Sequence, residues 1–429
     1  MKQNKIAILG LGKSGQSVLR YLVFRGERPL CIDSSNEVLS ALQCKDGCLD
    51  VLRDDQDIPE DVVVIVRSPG IKDNHLWIQQ AIFKKIPITT EFEMAFKHRR
   101  LKYPLTHCLG VTGTNGKTTT VLFIEHLLNI CGVKTLSAGN IGTPFLNVCD
   151  YPDISCFVLE MSSFQISHFM ENIPFLSAAA VLNLSKNHLD YHGSMERYIE
   201  AKTKIRNYIL PHGDLYVGKG VPMLASEVSV AECVEEFLDI LEAEEKLTDS
   251  LYPHDLENYA VGYKLAKHIT RISETSLTEA VCTFVKPEHR LEPVLQKYGI
   301  TFINDSKSTT VDSVQKAVLS VNTPQILILG GKNKGGDFSL LRPYLKSRVR
   351  TVLVIGESAD EIETILKEYC DLIKVPALTD AIDVIKNLMM PGDTVLFSPG
   401  CASFDQFANY EERGKVFKKL IFGLKGEEI

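Results

Sequence analysis

The sequence has no C-x-x-C pair, although it carries 11 cysteines, an odd number. Zinc-ligand spacing is therefore missing and a disulfide framework is not expected. Reduced cytosolic thiols are the default reading, with Cys44 and Cys48 the closest together. No apolar run is long enough to span a bilayer: even IPFLSAAAVLNL, residues 173 to 184, falls short. No apolar signal segment precedes the first strand-like run, so a soluble, cytoplasmic protein without a membrane span is expected. Positive charge is not in excess, with 47 Lys and Arg against 54 Asp and Glu and a formal net charge of -7. That argues against a nucleic-acid surface and leaves any anionic ligand to local groups rather than a global field. H-E-x-x-H and G-x-S-x-G do not occur, and there is no solenoid-length repeat or low-complexity tract.

What is present is an ordinary globular composition, 45% hydrophobic and 24% charged. At roughly 150 residues per domain, 429 residues predict two or three domains. Strand-like and helix-like patterns alternate throughout. KIAILG, PLCID and DVVVIVRSPG belong to a first α/β block, which PITTEFEMAF closes. LTHCLGVTG, SCFVLEMSS and AAAVLNLS form a second, and ITFINDS, QILILGG, TVLVIGE and DTVLFSPG a third. Short apolar runs of this kind suit covered parallel strands. The blocks divide into residues 1–93, 94–286 and 287–429. The stretch 231–247 reads as an acidic amphipathic helix with a solvated face and no assigned function.

Ligands of open α/β sheets sit at the carboxyl ends of strands. Here those ends are rich in small, polar and charged residues, and two are glycine loops. GLGKSG fits G-x-G-x-x-G through Gly10, Gly12 and Gly15, with Asp33 about 20 residues on where a ribose-binding acid sits. The same glycines serve the turn of any Rossmann-like unit, Asp33 equally caps a turn, and no hydride-transfer site is visible. The second loop, TGTNGKTTT, lies between an apolar run and a helical pattern. Backbone N–H groups from Gly113 through Thr114 and Asn115 to Gly116 can ring a phosphate, Lys117 can reach the β/γ-phosphates, and the Thr118 hydroxyl suits Mg²⁺. The strict phosphate-loop pattern fails only at Val111; a glycine-rich turn before a helix is the plainer alternative. A GTPase is excluded because Gly336 stands where N-K-x-D needs Asp. Glu160 ends CFVLE, where a carboxylate serves a cation or simply charges a helix N-terminus. His188 ends the next strand, as a ligand or a structural histidine. Arg290, in HRLE, is a phosphate clamp or a surface charge.

In order, TGTNGKTT, GNIG, LEMSSFQ, HRLE, INDSKST and SPGCASFDQFANYEERG resemble the Mur ligases of bacterial cell-wall synthesis along the whole chain. The resemblance implies three α/β domains: a Rossmann-like N-terminal domain, a central P-loop ATPase-like domain with a parallel sheet, and a Rossmann-like C-terminal domain. It implies a monomeric, ATP- and Mg²⁺-dependent ligase joining D-glutamate to UDP-N-acetylmuramoyl-L-alanine through an acyl phosphate, without a nucleic-acid partner. It assigns Lys13, Ser14, Asp33, Ser34, Ser68, Pro69 and Gly70 to the UDP-sugar. Gly113 to Thr119, Asn258, Arg290 and Asp305 fall to ATP. Thr118 and Glu160 fall to one metal, and His188 with Lys202 to a second. Asn140 is placed near the acyl phosphate, and Lys307, Thr309, Lys334, Ser403, Phe404 and Tyr410 around D-glutamate. In two places the chain departs from the pattern. HDLEN puts Asp255 where many members have Asn, and Asn187 precedes His188 where some carry an acid. A non-catalytic nucleotide-sugar sensor would be expected to lack Lys117 or Glu160, and both are present. Folate glutamate ligases share the phosphate loop but neither the N-terminal block nor the C-terminal signature.

Overall fold

The computed structural model describes residues 4–46, 50–241 and 251–424. By internal contacts it falls into two units. The first comprises residues 1–184, 188–251 and 255–284, and the second residues 185–187, 252–254 and 285–429.

The first unit holds two sheets. One is built from β1 (Lys5–Leu9), β2 (Leu30–Asp33), β3 (Asp50–Arg53), β4 (Val62–Arg67) and β5 (Ile88–Thr90), in the order β3-β2-β1-β4-β5. All its pairings are parallel. The other is built from β6 (His107–Thr112), β7 (Thr135–Gly139), β8 (Cys156–Glu160), β9 (Ala178–Asn183), β10 (Leu215–Lys219) and β11 (Val228–Ser229), in the order β11-β10-β9-β6-β8-β7. It too is parallel throughout.

Side chains alternate across these strands, as the two-residue period of a strand requires. Ala7 and Leu9 face a cluster with Trp77 and Ile78, while Ile8 faces the opposite core. That opposite core is continuous: it runs from Ile8 and Val18 through Phe92, Phe145 and Phe157 to Ala179 and Val217, and so joins the two sheets. The far face of the second sheet, with Leu109, Val111 and Val158, packs on the helices Lys117–Ile130 and Pro253–Lys267.

The helix Glu91–Lys102 stands where the two sheets meet. Its N-terminus carries a capping box, in which Thr90 accepts from the Glu93 N–H and the Glu93 carboxylate accepts from Thr90. The buried Arg99 near its far end donates to Thr106 Oγ1 and to the carbonyls of Cys149, Tyr151 and Ile154.

The second unit has one sheet. Its strands are β12 (Glu292–Lys297), β13 (Ile300–Asn304), β14 (Gln325–Gly330), β15 (Val349–Ile355), β16 (Asp371–Lys374) and β17 (Thr394–Gly400), in the order β12-β13-β17-β14-β15-β16. Only the edge strand β12 is antiparallel. Leu327, Leu329 and Val352 fill one face, and Ile326, Ile328 and Leu353 the other.

The acidic stretch is helical over Val230–Ile240, and residues 242–250 lie outside the described region. Nine cysteines are free; Cys44 and Cys48 fall outside the described side chains. No described helix is long and apolar enough to cross a membrane.

Candidate active site

The glycine loop after β6 leads directly into the helix Lys117–Ile130. Gly113 and Gly116 both have positive φ, 144° and 86°. A Cβ on Gly116 would sit 2.3 Å from Asn258 Oδ1, so the position combines a left-handed backbone with a close approach that only glycine permits. Asn183, at the end of β9, braces the loop: the Thr114 N–H donates to its carbonyl, the Asn115 N–H to its Oδ1 at 2.9 Å, and its amide donates to the Asn115 carbonyl at 3.1 Å. Loop N–H groups, helix N-terminus and lysine are donors of the kind an anion takes. Thr119 is buried in the first turn, and Asn258 Oδ1 accepts from Thr120.

At the end of the neighbouring β8, the buried Glu160 collects two site residues. Its Oε2 accepts from Thr118 Oγ1 at 2.8 Å and its Oε1 from Asn140 Nδ2 at 2.8 Å. The Asn140 N–H also donates to the Glu160 carbonyl. Lys117 Nζ donates to the carbonyls of Gly113 and Thr114, at 2.8 and 2.9 Å. Lys202 lies inside the protein, 2% exposed, on the helix Met195–Thr203. Its Nζ donates to Thr112 Oγ1 and to the Gly113 carbonyl. Burial first, and then the Lys117 charge, pull its pKa well below the ordinary lysine value, with Glu160 opposing. Lys202 is therefore not a solvated helix residue.

His188 has a left-handed backbone, φ 54°, and caps the short helix Leu189–His192. Its ring packs on Phe164 at 4.9 Å. Burial, Lys202 and Lys117 lower its pKa to about 4, so the ring is neutral at physiological pH. Among the described residues no three His, Cys, Asp or Glu converge on a metal position.

The residues assigned to the UDP-sugar gather at the ends of β1, β2 and β4. Asp33 accepts from the Leu11 N–H at 2.8 Å and the Ser35 N–H at 2.9 Å, which ties two strand ends together. Ser68 Oγ donates to the Gly10 carbonyl at 2.6 Å. A Cβ on Gly15 would lie 2.0 Å from that same carbonyl, the reason for glycine at the third fingerprint position. Lys13, Ser34 and Gly70 are exposed; Ser14, Ser68 and Pro69 are half-buried.

In the second unit, Asp305 is buried after β13. It accepts from the Leu291 N–H and from Ser398 Oγ, and burial raises its pKa to about 7. Arg290 lies between two positive-φ residues, His289 and Leu291, and its charge opposes the rise at Asp305. Lys307 Nζ sits 3.9 Å over the Tyr410 ring and Lys334 Nζ 5.2 Å over Phe404. Thr309 is half-buried, Ser403 buried and Phe404 exposed. Arg413 lies within the SPGCASFDQFANYEERG stretch without an assigned role. Buried in the helix Tyr410–Gly423, it donates to Ser306 Oγ, the Ser306 carbonyl and the Cys401 carbonyl, fixing both signature loops.

Residues 4–90 match the MurD-like N-terminal domain of Mur ligases, 111–289 the Mur ligase middle domain, and 289–401 the Mur ligase glutamate ligase domain. The UDP-N-acetylmuramoylalanine--D-glutamate ligase of Chlamydia abortus is 41% identical over 431 residues, covering 100% of both chains. This chain belongs to the Mur ligase family. A second such relative, from Chlamydia pneumoniae, is 40% identical over 97% of the chain and 98% of its own length. The three-domain α/β Mur ligase fold recurs in MurF from Acinetobacter baumannii, with a TM-score of 0.61 at 16% identity over 97% of this chain and 94% of that one. It recurs also in Thermotoga maritima MurF in complex with ADP, with a TM-score of 0.57 at 14% identity over 92% and 96%. In this Mur ligase the GNIG and LEMSS motifs meet physically, through Asn140 and Glu160.

Proposed function

We propose that this Mur ligase forms an amide bond between D-glutamate and the alanyl carboxylate of UDP-N-acetylmuramoyl-L-alanine, driven by ATP, in peptidoglycan precursor synthesis. The observation that carries the reading is the Thr118–Glu160–Asn140 array beside Lys117 on a loop with two positive-φ glycines. A carboxylate carbon is a poor electrophile. Transfer of the γ-phosphoryl group to the carboxylate oxygen releases ADP and gives an acyl phosphate. The amine nitrogen then bonds to that carbon, loses a proton, and inorganic phosphate departs with the C–O bond.

Each step crowds anions, and the residues are suited to that. The loop N–H groups and Lys117 hold the β/γ-phosphates, and the Asn140 amide faces the acyl phosphate. Thr118 Oγ1 and Glu160 Oε2, 2.8 Å apart, are the hard oxygen donors that Mg²⁺ takes. When bound there, Mg²⁺ supplies charge neutralisation of the nucleotide. Beside the neutral His188, Lys202 is a suitable ligand for a second cation only after its amine adds CO₂ to become a carbamate, releasing a proton. Its burial and lowered pKa support that. The Ser68–Gly70 turn and the Asp33 strand end receive the UDP-sugar. Lys307, Thr309, Lys334, Ser403, Phe404 and Tyr410 receive D-glutamate, two cations answering two carboxylates. Arg290, Asn258 and Asp305 complete the ATP contacts. We take the enzyme to act as a cytoplasmic monomer.

The deciding assay is phosphate release from ATP and Mg²⁺ with UDP-N-acetylmuramoyl-L-alanine, comparing D-glutamate, L-glutamate and other amino acids. D-glutamate-dependent turnover is expected. Turnover with another amino acid alone would reassign the substrate within the family, and no turnover with any would sink the reading.

A further inference from the structure

Tyr191 bridges the sugar-nucleotide turn and the catalytic segment, and no motif assigned it. It follows His188 by three residues, in the helix Leu189–His192. Its hydroxyl lies 3.1 Å from the Ile71 carbonyl oxygen, 3.4 Å from that of Pro69 and 2.8 Å from His168 Nε2. Its ring meets Phe164 edge-on at 4.4 Å, and Phe164 packs in turn on His188. Lys72 Nζ donates to the Asp190 carbonyl at 3.2 Å and stands over the Tyr191 ring. The Ile71 carbonyl is a shared acceptor: the buried Arg67 guanidinium, paired with Asp73, also donates to it.

The direction of the hydrogen-bond chain follows from His168. The ring is 4% exposed, and its Nδ1 has no partner among the described residues. Burial and nearby cations push its pKa down to about 3, so it carries one ring proton. A buried N–H without an acceptor costs more than an unused lone pair. The proton therefore sits on Nε2 and is donated to the Tyr191 oxygen, which leaves the phenol O–H to donate to Ile71. The chain His168 → Tyr191 → Ile71 is then complete at every proton, and its far end is the turn that carries Ser68, Pro69 and Gly70.

We propose that Tyr191 is a positioning residue for the sugar nucleotide: its hydroxyl fixes the Ser68–Gly70 turn relative to His188. The substrate's UDP end and its carboxylate end are then held at a set separation. This rests on the reading of that turn as the UDP-sugar seat. A turn held by one shared carbonyl is sensitive to the loss of one donor, and a seat that binds substrate and transition state alike shows that loss in KM rather than kcat.

The test is Tyr191→Phe, which keeps the ring on Phe164 and removes the hydroxyl. KM for UDP-N-acetylmuramoyl-L-alanine should rise about tenfold, the effect of one lost hydrogen bond. The kcat at saturating sugar and the KM values for ATP and D-glutamate should stay within about twofold. A purely structural role would lower Tm and active fraction while leaving the sugar KM alone, and that result overturns the proposal. Calorimetric titration of UDP-N-acetylmuramoyl-L-alanine into Ser68→Ala separates the two layers. If Ser68→Ala binds more weakly than wild type and Tyr191→Phe does not, Tyr191 has no positioning role and the seat stands. If Ser68→Ala binds as wild type does, the seat itself is misplaced and the proposal falls with it.

Discussion

Lys117 and Lys202 donate to one and the same acceptor, the carbonyl oxygen of Gly113, at 2.8 and 2.9 Å. Burial first, and then the repulsion from Lys117 on the same carbonyl, make the proton easier to lose from Lys202 than from a solvated lysine. The glycine loop thus draws the Lys117 side chain and a readily neutral amine, Lys202, onto one carbonyl.

Lys202 is accordingly expected to take up CO₂. Protein prepared with ¹³C-bicarbonate should show a carbamate carbon resonance that Lys202→Ala lacks. Lys202→Ala should be nearly inactive, with partial recovery in millimolar acetate. Wild-type rates for Lys202→Ala in CO₂-depleted buffer would remove the carbamate.

Glu160→Gln should fold and fail. The amide oxygen can still accept from Asn140 and the amide NH₂ can donate to the Thr118 hydroxyl, so the array is kept while the carboxylate is lost. Turnover should fall by a factor of roughly 100 or more through loss of the anionic charge. Phosphate release and thermal melting together check this; a variant with half the wild-type kcat would mean that Glu160 only braces Asn140.

Gly116→Ala meets two obstacles, a φ of 86° and Asn258 Oδ1 2.3 Å from the new Cβ. Strain of about 1–3 kcal/mol is expected, with Asn258 displaced. ATP affinity, read by calorimetry, should drop about tenfold or more, and Tm should fall. Unaltered nucleotide binding would show that Asn258 does not serve the nucleotide.

Glu91 gives the pH prediction. It is buried, accepts from the Leu146 N–H, and burial raises its pKa to about 7. In the unfolded chain a glutamate titrates near ~4.3. Between those values the unfolded state has lost its proton and the folded state retains it, so stability contributed by this group falls as pH rises from about 4 to about 7. Glu91→Gln keeps an acceptor for Leu146 and does not ionise. Its Tm should be near wild type at pH 4 and should decline less from pH 5 to pH 8. Parallel Tm curves would show that Glu91 is not a source of the pH dependence.

The strands with dense apolar runs, β1, β4, β6, β8, β9, β13, β14, β15 and β17, were legible because both faces of a parallel strand are covered. The edge strands β3, β11, β12 and β16 were not, since an edge strand need not carry such a run. The glycine loop between β6 and the helix Lys117–Ile130 could be read from local spacing. The bracing roles of Asn183 and Arg413 could not: Asn183 holds Asn115 and Arg413 holds Ser306, each far along the chain, and spacing says nothing of such pairs. Lys202 was named only through the resemblance. The sequence around it, with Lys204 and Arg206 close by, looks like a solvated helix, and its burial is a tertiary fact. Tyr191 and His168 are 23 residues apart and meet only through the folded loop, so no motif contains both.

Arg99 gathers three main-chain carbonyls from one end of the second sheet's surroundings onto a helix that begins at the last strand of the first. The first sheet is therefore not a detachable module. A fragment carrying it alone would bare Phe92 and Phe96, strand the Arg99 guanidinium without acceptors, and invite aggregation. A molecule that wedged into this seam would part the two sheets from one another.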